Sequence, residues 1–385
     1  MVFLKSQKQR NTLQEIGKMA DEFGKRALYY EQQQQFPFEN MKDLRNQGYT
    51  TLTLPQSLGG QGATLYEFLL MQERLAQGCG STALGMGWHL GCVLDICEDN
   101  NWEKDVYHEI MNAVKNGALL NRAATERATG SPTRGGKPET TATEHEDHWV
   151  IHGRKTFTTL APALDFYLVS ASITGSEEVG DFLIHKGTKG VSIDETWDSI
   201  AMQSTGSHDL VLDNVKIDKR YFLETIGPKR KMKANAWLLH IPACYLGIAQ
   251  AARTYALNFA SSYQPNSIQT TISELPNVRR LIGEIELELK QARHMLYSVA
   301  EKWENTSDRE SFKPELAAVK HTVTNNAISI VDKAMRIVGA RSLSAKNPLQ
   351  RYYRDVRAGL HNPPMDDATI ALLAQSALDG LKTDQ

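Results

Sequence analysis

The sequence has little cysteine, no long apolar run and no excess of charge of either sign. Its 385 residues contain four cysteines, at positions 79, 92, 97 and 244, and none of them forms a CxxC pair. We therefore expect buried thiols in a reducing compartment, and neither a disulfide framework nor a metal site. No apolar segment approaches the length of about 20 residues that a membrane-spanning helix needs, so none is expected.

The charge balance also excludes a class of partner. The chain has 43 basic and 45 acidic residues and a net charge of -2, which argues against a nucleic acid or an anionic membrane held by bulk charge. The first ten residues, MVFLKSQKQR, have no apolar stretch behind their basic residues, so we expect no signal peptide and a cytoplasmic location. The length predicts two or three domains.

Hydrophobic periodicity divides the chain into three parts. Residues 9–116 have the three- and four-residue apolar spacing of helices, whereas residues 118–222 contain short runs typical of strands. From residue 229 to the end the spacing is helical again. We predict an α+β multidomain fold: an N-terminal helical domain over 1–118, a small β-barrel or β-sandwich over 119–225, and an antiparallel four-helix bundle over 226–385. The predicted strands are 148–153, 166–171, 182–185 and 210–217, and the predicted bundle helices are 236–260, 276–303, 315–338 and 366–381.

Four motifs follow one another in a fixed order along the chain. They are Leu54-Pro55 to Gly62, Ala124-Thr125-Glu126 with Gly130-Ser131, Gly153-Arg154-Lys155-Thr156-Phe157-Thr158-Thr159, and Arg351-Tyr352-Tyr353-Arg354-Asp355. In this order, and with this alternation of helical and β segments, the chain resembles the acyl-CoA dehydrogenase superfamily. Two residues depart from its middle-domain motif T-E-P-x-x-G-S-D, because Arg127 and Pro132 replace the usual Pro and Asp.

The resemblance implies a flavin between the β-domain and the C-terminal bundle, FAD in the first place and FMN as the alternative. It also implies a homotetramer, a small-molecule substrate such as an acyl-CoA, and an electron-transfer flavoprotein as partner. Donors that meet the ring would stabilise the charge that it gains on reduction. The cofactor-binding residues that it implies are Thr125, Ser131, Phe157, Thr158 and Thr159, with Arg336 and Gly339 supplied by a neighbouring subunit.

The catalytic base of the family is missing from its usual positions. An acyl-CoA dehydrogenase needs a carboxylate to remove the proton alpha to the thioester carbonyl. The family places a Glu at the position of Pro363, and some relatives place it at the position of Trp237. Asp366 follows shortly after and is the remaining carboxylate candidate. The glycine-rich string that meets the FAD diphosphate is also degraded, because residues 336–342 read RIVGARS.

Both departures are typical of a branch of the superfamily that resembles dibenzothiophene monooxygenase and uses O2 with reduced flavin from a separate reductase. The strings Thr205-Gly206-Ser207-His208-Asp209 and Leu360-His361-Asn362-Pro363 are similar to strings of that branch. His361 and His89 are predicted catalytic residues, since imidazole can donate a hydrogen bond and exchange a proton near neutral pH. We thus expect acyl-CoA alpha,beta-dehydrogenation, with a reduced-flavin monooxygenase as the alternative and a flavin-binding protein without catalysis as the third possibility.

Overall fold

The structure, a computed structural model, describes residues 2–98, 101–130, 136–226 and 233–383. These residues form ten α-helices and eight β-strands in the predicted order of helical, β and helical segments. None of the helices in the described ranges combines the length and the apolarity that crossing a bilayer requires.

The N-terminal helices are α1 (Gln7–Gln32), α2 (Phe38–Asn46), α3 (Leu65–Ala76), α4 (Gly80–Glu98) and α5 (Lys104–Lys115). Local signals set where they begin. The Ser6 hydroxyl accepts the backbone N–H of Gln9 at the start of α1, and Thr64 and Glu67 form a capping box at the start of α3. Helix α4 is buried on nearly every side, which fits its apolar, glycine-rich sequence.

The middle of the chain forms one eight-stranded sheet. Its strands are β1 (Leu120–Ala123), β2 (Thr141–Glu144), β3 (His148–Thr158), β4 (Phe166–Ile173), β5 (Val179–His185), β6 (Val191–Asp194), β7 (His208–Asp218) and β8 (Phe222–Thr225). The order is β6-β7-β3-β2-β4-β5-β8, and β1 pairs in parallel with β4. All four predicted strands are present. Strand β3 runs further than predicted because two irregularities in its pairing with β7 let it continue to Thr158.

The C-terminal helices are α6 (His240–Ser262), α7 (Pro276–Asn305), α8 (Lys313–Val338), α9 (Pro348–Arg357) and α10 (Asp366–Thr383). Helix α6 lies at the centre, against α7, α8 and the N-terminal α3. It starts four residues later than predicted, after a 3-10 turn over Ala236–Leu239, and Pro242 lies in its first turn, where a missing N–H costs nothing. Gly339 follows α8 at a φ of 70°, as predicted for a helix end.

Two helices differ from the predicted bundle. Helix α9 was not predicted, although Asn347 caps it by accepting the N–H of Leu349 and Pro348 occupies its first position. Helix α10 packs mainly on α8 and leaves Ile370, Leu378 and Leu381 exposed. The closely packed core of this domain is therefore α6, α7 and α8, with α10 on its outer face.

Candidate active site

A cleft of about 1350 Å³ opens where the three domains meet. One wall comes from α4, a second from the loops around β1, β3 and β7, and a third from the chain before α6 and between α9 and α10. A cleft between domains, with a mixed polar and apolar lining, is the usual site for a cofactor and a small substrate. It lies between the β-domain and the C-terminal helices, where the sequence predicts the flavin.

Three of the predicted cofactor residues line this cleft: Thr125, Phe157 and Thr159. Thr158 does not, because its side chain is fully buried, and its hydroxyl has no hydrogen-bond partner among the described residues. Ser131 lies outside the described residues. The β-domain therefore brings two threonines and one aromatic ring to the cleft.

Phe157 faces the cleft because of the irregular end of β3. Its φ is +56°, an uncommon value for a residue with a side chain, and the pairing of β3 with β7 shifts between Lys155 and Thr158. The ring is 61% exposed, and Trp197 stands perpendicular to it with the ring centroids 6.0 Å apart. These two aromatic rings form an apolar corner that can cover a planar ligand.

A buried ion pair holds the loop that carries Thr125. The Thr125 carbonyl accepts the N–H of Thr156 at 2.8 Å. The next residue, Glu126, accepts from the ammonium of Lys155 at 2.5 Å and from the backbone N–H of Glu139 and Thr140 at 2.6 and 3.0 Å. Burial alone would raise the pKa of Glu126, but the Lys155 charge and these hydrogen bonds outweigh it and lower the pKa. The carboxylate is therefore ionised and rigidly held.

A chain of hydroxyl groups runs behind Thr159. The Thr159 and Ser207 oxygens are 3.0 Å apart, the Ser207 and Thr205 oxygens are 2.8 Å apart, and the Thr205 hydroxyl donates to the carbonyl of Met202 at 2.9 Å. All three residues line the cleft. Thr205 and Ser207 were not predicted as site residues, although the Thr205–Asp209 string contained them. Thr159 and Ser207 are 48 positions apart in sequence, which is too far for spacing to reveal the contact.

The wall formed by the C-terminal domain contains His361, Asn362, Pro363 and Trp237. His361 is exposed to the cleft, as its predicted role requires. Asn362 is fixed by the buried Tyr245, whose hydroxyl donates to the Asn362 side-chain oxygen at 2.5 Å. No carboxylate lines the cleft on the described part of this wall.

Asp366, the predicted carboxylate candidate, is turned towards α8 and does not line the cleft. Its oxygens lie 3.2 Å from the His321 ring, 3.1 Å from the Asn325 amide and 3.8 Å from the ammonium of Lys320. Lys320 is only 2% exposed, and burial lowers its pKa to about 8. Asp366 is thus the counter-charge of a buried lysine, which argues against its predicted role as catalytic base.

His89, also predicted to be catalytic, is completely buried and does not line the cleft. Its Nδ1 accepts the N–H of Leu120 at 3.2 Å and its Nε2 lies 2.9 Å from the Thr50 carbonyl, to which it donates. Burial lowers the pKa of His89 to about 4. Its position argues against the predicted role, because both ring nitrogens serve to join α4 to β1 and to the loop before α3. The neighbouring Trp88 does line the cleft, as do Leu84, Asp95 and Ile96 of the same helix.

Arg336 and Gly339, the predicted diphosphate residues, lie at the C-terminal end of α8 and do not line this cleft. The Arg336 guanidinium pairs with Asp332 one turn earlier, at 2.7 Å. A Cβ added to Gly339 would have no neighbour within 4 Å, so this surface is open. Their predicted contribution to a neighbouring subunit stays a prediction.

Several carboxylates that line the cleft or lie beside it on the β-domain side are engaged by cations. Asp209 accepts from Arg154 at 2.7 Å and from Arg127 at 3.1 Å. Arg122 lies between Asp95 and Asp181, at 3.0 Å from each. Arg127, the replacement for the usual Pro, remains largely exposed at the cleft. Paired carboxylates of this kind are poorly suited to accept a substrate proton, because protonation would break the pair.

Comparison with known proteins agrees with this architecture. Family models match the chain over residues 6–99 (acyl-CoA dehydrogenase, N-terminal domain), 121–215 (middle domain) and 239–360 (C-terminal domain). The chain is 53% identical to YdbM of Bacillus subtilis (strain 168), a protein named as a candidate acyl-CoA dehydrogenase, over 98% of this chain and 99% of that protein.

Two solved structures have the same fold. The butyryl-CoA dehydrogenase of Megasphaera elsdenii superposes with a TM-score of 0.85 at 20% identity, over 98% of this chain and 100% of that one. The FMN-bound TdsC of Paenibacillus sp. A11-2 superposes with a TM-score of 0.85 at 21% identity, over 96% of this chain and 98% of that one.

Proposed function

We propose that this chain, which belongs to the acyl-CoA dehydrogenase family, is a flavin-dependent oxidoreductase whose flavin binds in the cleft between the three domains. The lining suits such a ring. Phe157 and Trp197 offer apolar faces, and Thr125 and Thr159 offer polar groups at the edge. A bound flavin supplies two-electron transfer or reaction with O2, while this chain's residues bind the substrate and exclude water.

The geometry favours a reduced-flavin monooxygenase over a dehydrogenase. The observation that carries this proposal is the wall of the C-terminal domain, where Pro363 and Trp237 occupy the two positions at which the family has its Glu. The nearest carboxylate in sequence, Asp366, faces Lys320 instead. Alpha-proton removal from an acyl thioester needs a base in contact with the substrate.

The residues that remain on this wall can donate hydrogen bonds. The imidazole of His361 can donate a hydrogen bond. Because the oxygen of the Asn362 amide is taken by Tyr245, its NH2 group is the part left to face the cleft. Donors at these two positions suit a reaction in which negative charge develops on oxygen. FMN and a separate flavin reductase are the cofactor and partner proposed with this activity.

Acyl-CoA dehydrogenation with FAD and an electron-transfer flavoprotein is the second candidate. It is supported by the family itself and by the likeness to YdbM over the full length of both proteins. It requires a base other than the usual Glu, and His361 on the described C-terminal wall is our candidate, since an imidazole nitrogen can accept whereas the charged Lys233 and Arg357 side chains of that wall are donors only. In either case we propose a homotetramer, and elution at the size of a monomer would contradict it.

Purified enzyme separates the two activities. The monooxygenase proposal expects O2 consumption and an oxygenated product when reduced FMN is supplied, and no reduction of an artificial electron acceptor by acyl-CoA substrates of different chain lengths. Tightly bound FAD and acyl-CoA-dependent reduction of the acceptor, without O2 incorporation, would overturn it in favour of the dehydrogenase. The mass of the released cofactor distinguishes FAD from FMN in the same preparation.

Two substitutions sharpen this test. His361→Ala is expected to abolish product formation and to leave flavin binding largely intact, whereas His152→Ala, an exposed histidine on β3 outside the cleft, should change neither. Pro363→Glu restores a carboxylate at the family position. If the substrate is an acyl-CoA in the usual pose, this variant should gain measurable acyl-CoA oxidation, and a folded variant with no gain counts against the dehydrogenase.

A further inference from the structure

The wall of the cleft that the C-terminal domain forms has positive charge and no negative charge. Two cations of this wall line the cleft, Lys233 and Arg357, and no carboxylate within the described residues 233–383 lines it. Arg357 is half-buried and forms no ion pair with a carboxylate in the described part of the chain. A guanidinium that faces a cleft without a counter-charge is a place where an anionic group of a ligand can bind.

The Arg357 guanidinium is held in position although it has no ion-pair partner. Arg357 is the last residue of α9, where the partial negative charge of the helix C-terminus stabilises a cation. Its Nη2 donates to the Tyr353 hydroxyl at 3.1 Å, and its guanidinium carbon lies 4.8 Å from the centroid of the same ring. An arginine has five N–H donors, and this is the only hydrogen bond that Arg357 donates within the described residues. Enough donors therefore remain for two parallel hydrogen bonds to a carboxylate.

The neighbours of Arg357 on this wall suit a ligand with an apolar body and an anionic end. Trp237 and Leu238 provide apolar surface beside it. Asn362 presents its NH2 group, because its oxygen is taken by the Tyr245 hydroxyl, and an amide NH2 can donate to an oxyanion. The wall thus combines apolar contacts with donors, and its charged groups are all positive.

We propose that Arg357 binds a carboxylate of the substrate, so that the enzyme selects molecules with an anionic end over neutral and cationic analogues. Tyr353 is a positioning residue that acts through Arg357. This assignment rests on the proposed function, which makes the cleft the place where the substrate meets the flavin, and it adds the charge of that substrate. Asp198 and Glu224 line the β-domain side of the cleft and form no ion pair among the described residues, so a cationic substrate is the competing outcome of the test.

The test compares three probes that share one alkyl chain and differ in charge. The full-length protein, with and without saturating FMN, is titrated at pH 7 with hexanoate, hexanol and hexylamine, and isothermal titration calorimetry gives the dissociation constants. We expect hexanoate to bind about tenfold or more tightly than hexanol, the worth of a hydrogen-bonded charge, and hexylamine to bind most weakly. Added NaCl should reduce the preference for hexanoate, because salt screens a partly exposed charge, and should leave hexanol binding unchanged.

Variants assign the preference to Arg357. Arg357→Met should abolish it and leave hexanol binding unchanged, whereas Arg357→Lys should keep part of it, because lysine has the charge without the planar fork. Tyr353→Phe keeps the ring and removes the hydrogen bond, so the preference should fall by less than in Arg357→Met. Arg220→Met is the matched control. The Arg220 guanidinium also donates to a tyrosine hydroxyl, that of Tyr221 at 2.7 Å, but it pairs with Glu109 and does not line the cleft, so the parent preference should remain.

The outcomes separate this assignment from the proposed function. If the parent binds hexanoate no more tightly than hexanol, if hexylamine binds best, or if Arg357→Met keeps the preference, the carboxylate site is overturned. Riboflavin, which lacks the phosphate of FMN, is titrated as well. A lower affinity of Arg357→Met for FMN relative to riboflavin, with the hexanoate preference kept, would assign Arg357 to the cofactor and overturn the proposal.

Flavin binding by the parent is read separately. If neither FMN nor FAD binds in either redox state, the proposed function fails, and the hexanoate comparison still decides the role of Arg357. Should Arg357→Met not fold, Arg357→Lys and Tyr353→Phe decide it, because both are expected to weaken the preference and a parent-like ratio in both would overturn the assignment.

Discussion

The buried pair of Glu126 and Lys155 gives the most demanding test of how the cleft wall is held. Their side chains are 2% and 0% exposed, with the ammonium 2.5 Å from the carboxylate. The two side chains differ in how many other hydrogen-bond partners they have. Glu126 keeps the N–H groups of Glu139 and Thr140 and the hydroxyl of Thr129 if Lys155 is removed. Lys155 has no other hydrogen-bond acceptor among the described residues.

We therefore expect Glu126→Gln to cost more than Lys155→Met. Glu126→Gln leaves a buried ammonium without its counter-charge, and such a loss costs about 3–5 kcal/mol in the free energy of unfolding. Lys155→Met leaves a carboxylate that still accepts three hydrogen bonds, so we expect about 1–3 kcal/mol. The double variant, which has neither charge, should be more stable than Glu126→Gln alone.

The assay must measure the stability of the β-domain separately, because a chain of three domains need not unfold in a single step. Hydrogen exchange of peptides that cover β3, measured at pH 7 under native conditions, reports the local free energy of opening. Equal costs for the two single variants, or a cost below about 1 kcal/mol for Glu126→Gln, would refute the reasoning, since Lys155 would then reach water or another acceptor.

The same pair predicts a dependence on pH. The folded-state pKa of Glu126 lies below the ordinary value of 4.5 for a glutamate, so its contribution to stability is present above that pH and is lost as the pH falls through the folded-state pKa. The difference in stability between the parent and Glu126→Gln should accordingly be largest near neutral pH and shrink in acid. A difference that stays constant down to pH ~3 would contradict the assignment.

Three further predictions concern packing and charge outside the flavin contacts. Gly87→Ala should lower the free energy of unfolding in urea by about 1–3 kcal/mol, since the added Cβ would lie 2.2 Å from the His240 ring. Gly283→Ala, on an open helix face, should raise it by about 0.5–1 kcal/mol. Equal effects of the two variants would contradict this prediction. The free energy of unfolding should fall by about 3 kcal/mol between pH 6.5 and 4 because of His89, since its imidazole is protonated in the unfolded chain at a higher pH than in the folded chain. His89→Gln should flatten this part of the stability–pH curve. Asp366→Asn removes the counter-charge of buried Lys320 and should weaken the packing of α10 on α8. Subtilisin should then cleave α10 from the chain faster than in the parent, which mass spectrometry detects as a product of lower mass.

The local pattern of residues was enough for the elements and their order. Apolar spacing predicted the long helices of the last domain, and short β-branched runs predicted β3, β4, β5 and β7, because both signals depend on neighbours a few residues away. Helix α9 was missed although its cap and its proline were in the sequence. The motifs also identified Thr125, Phe157 and Thr159, which come together in one cleft.

Which side chains reach that cleft was decided by tertiary structure. Helix α4 is apolar on all sides, so the local sequence could not predict whether Trp88 or His89 lines the cleft. The packing of β1 against His89 decides that His89 is buried. The irregular end of β3 turned Thr158 inward and Phe157 outward.

The sequence alone thus determined the family, the three-part architecture and the absence of a Glu at both usual positions. Only the folded chain decided that Asp366 pairs with Lys320 and that Ser207 and Thr205 stand behind Thr159. The physical reason is that periodicity and capping act between neighbours in sequence, whereas burial, charge pairing and hydrogen-bond direction depend on residues that meet only after the chain has folded.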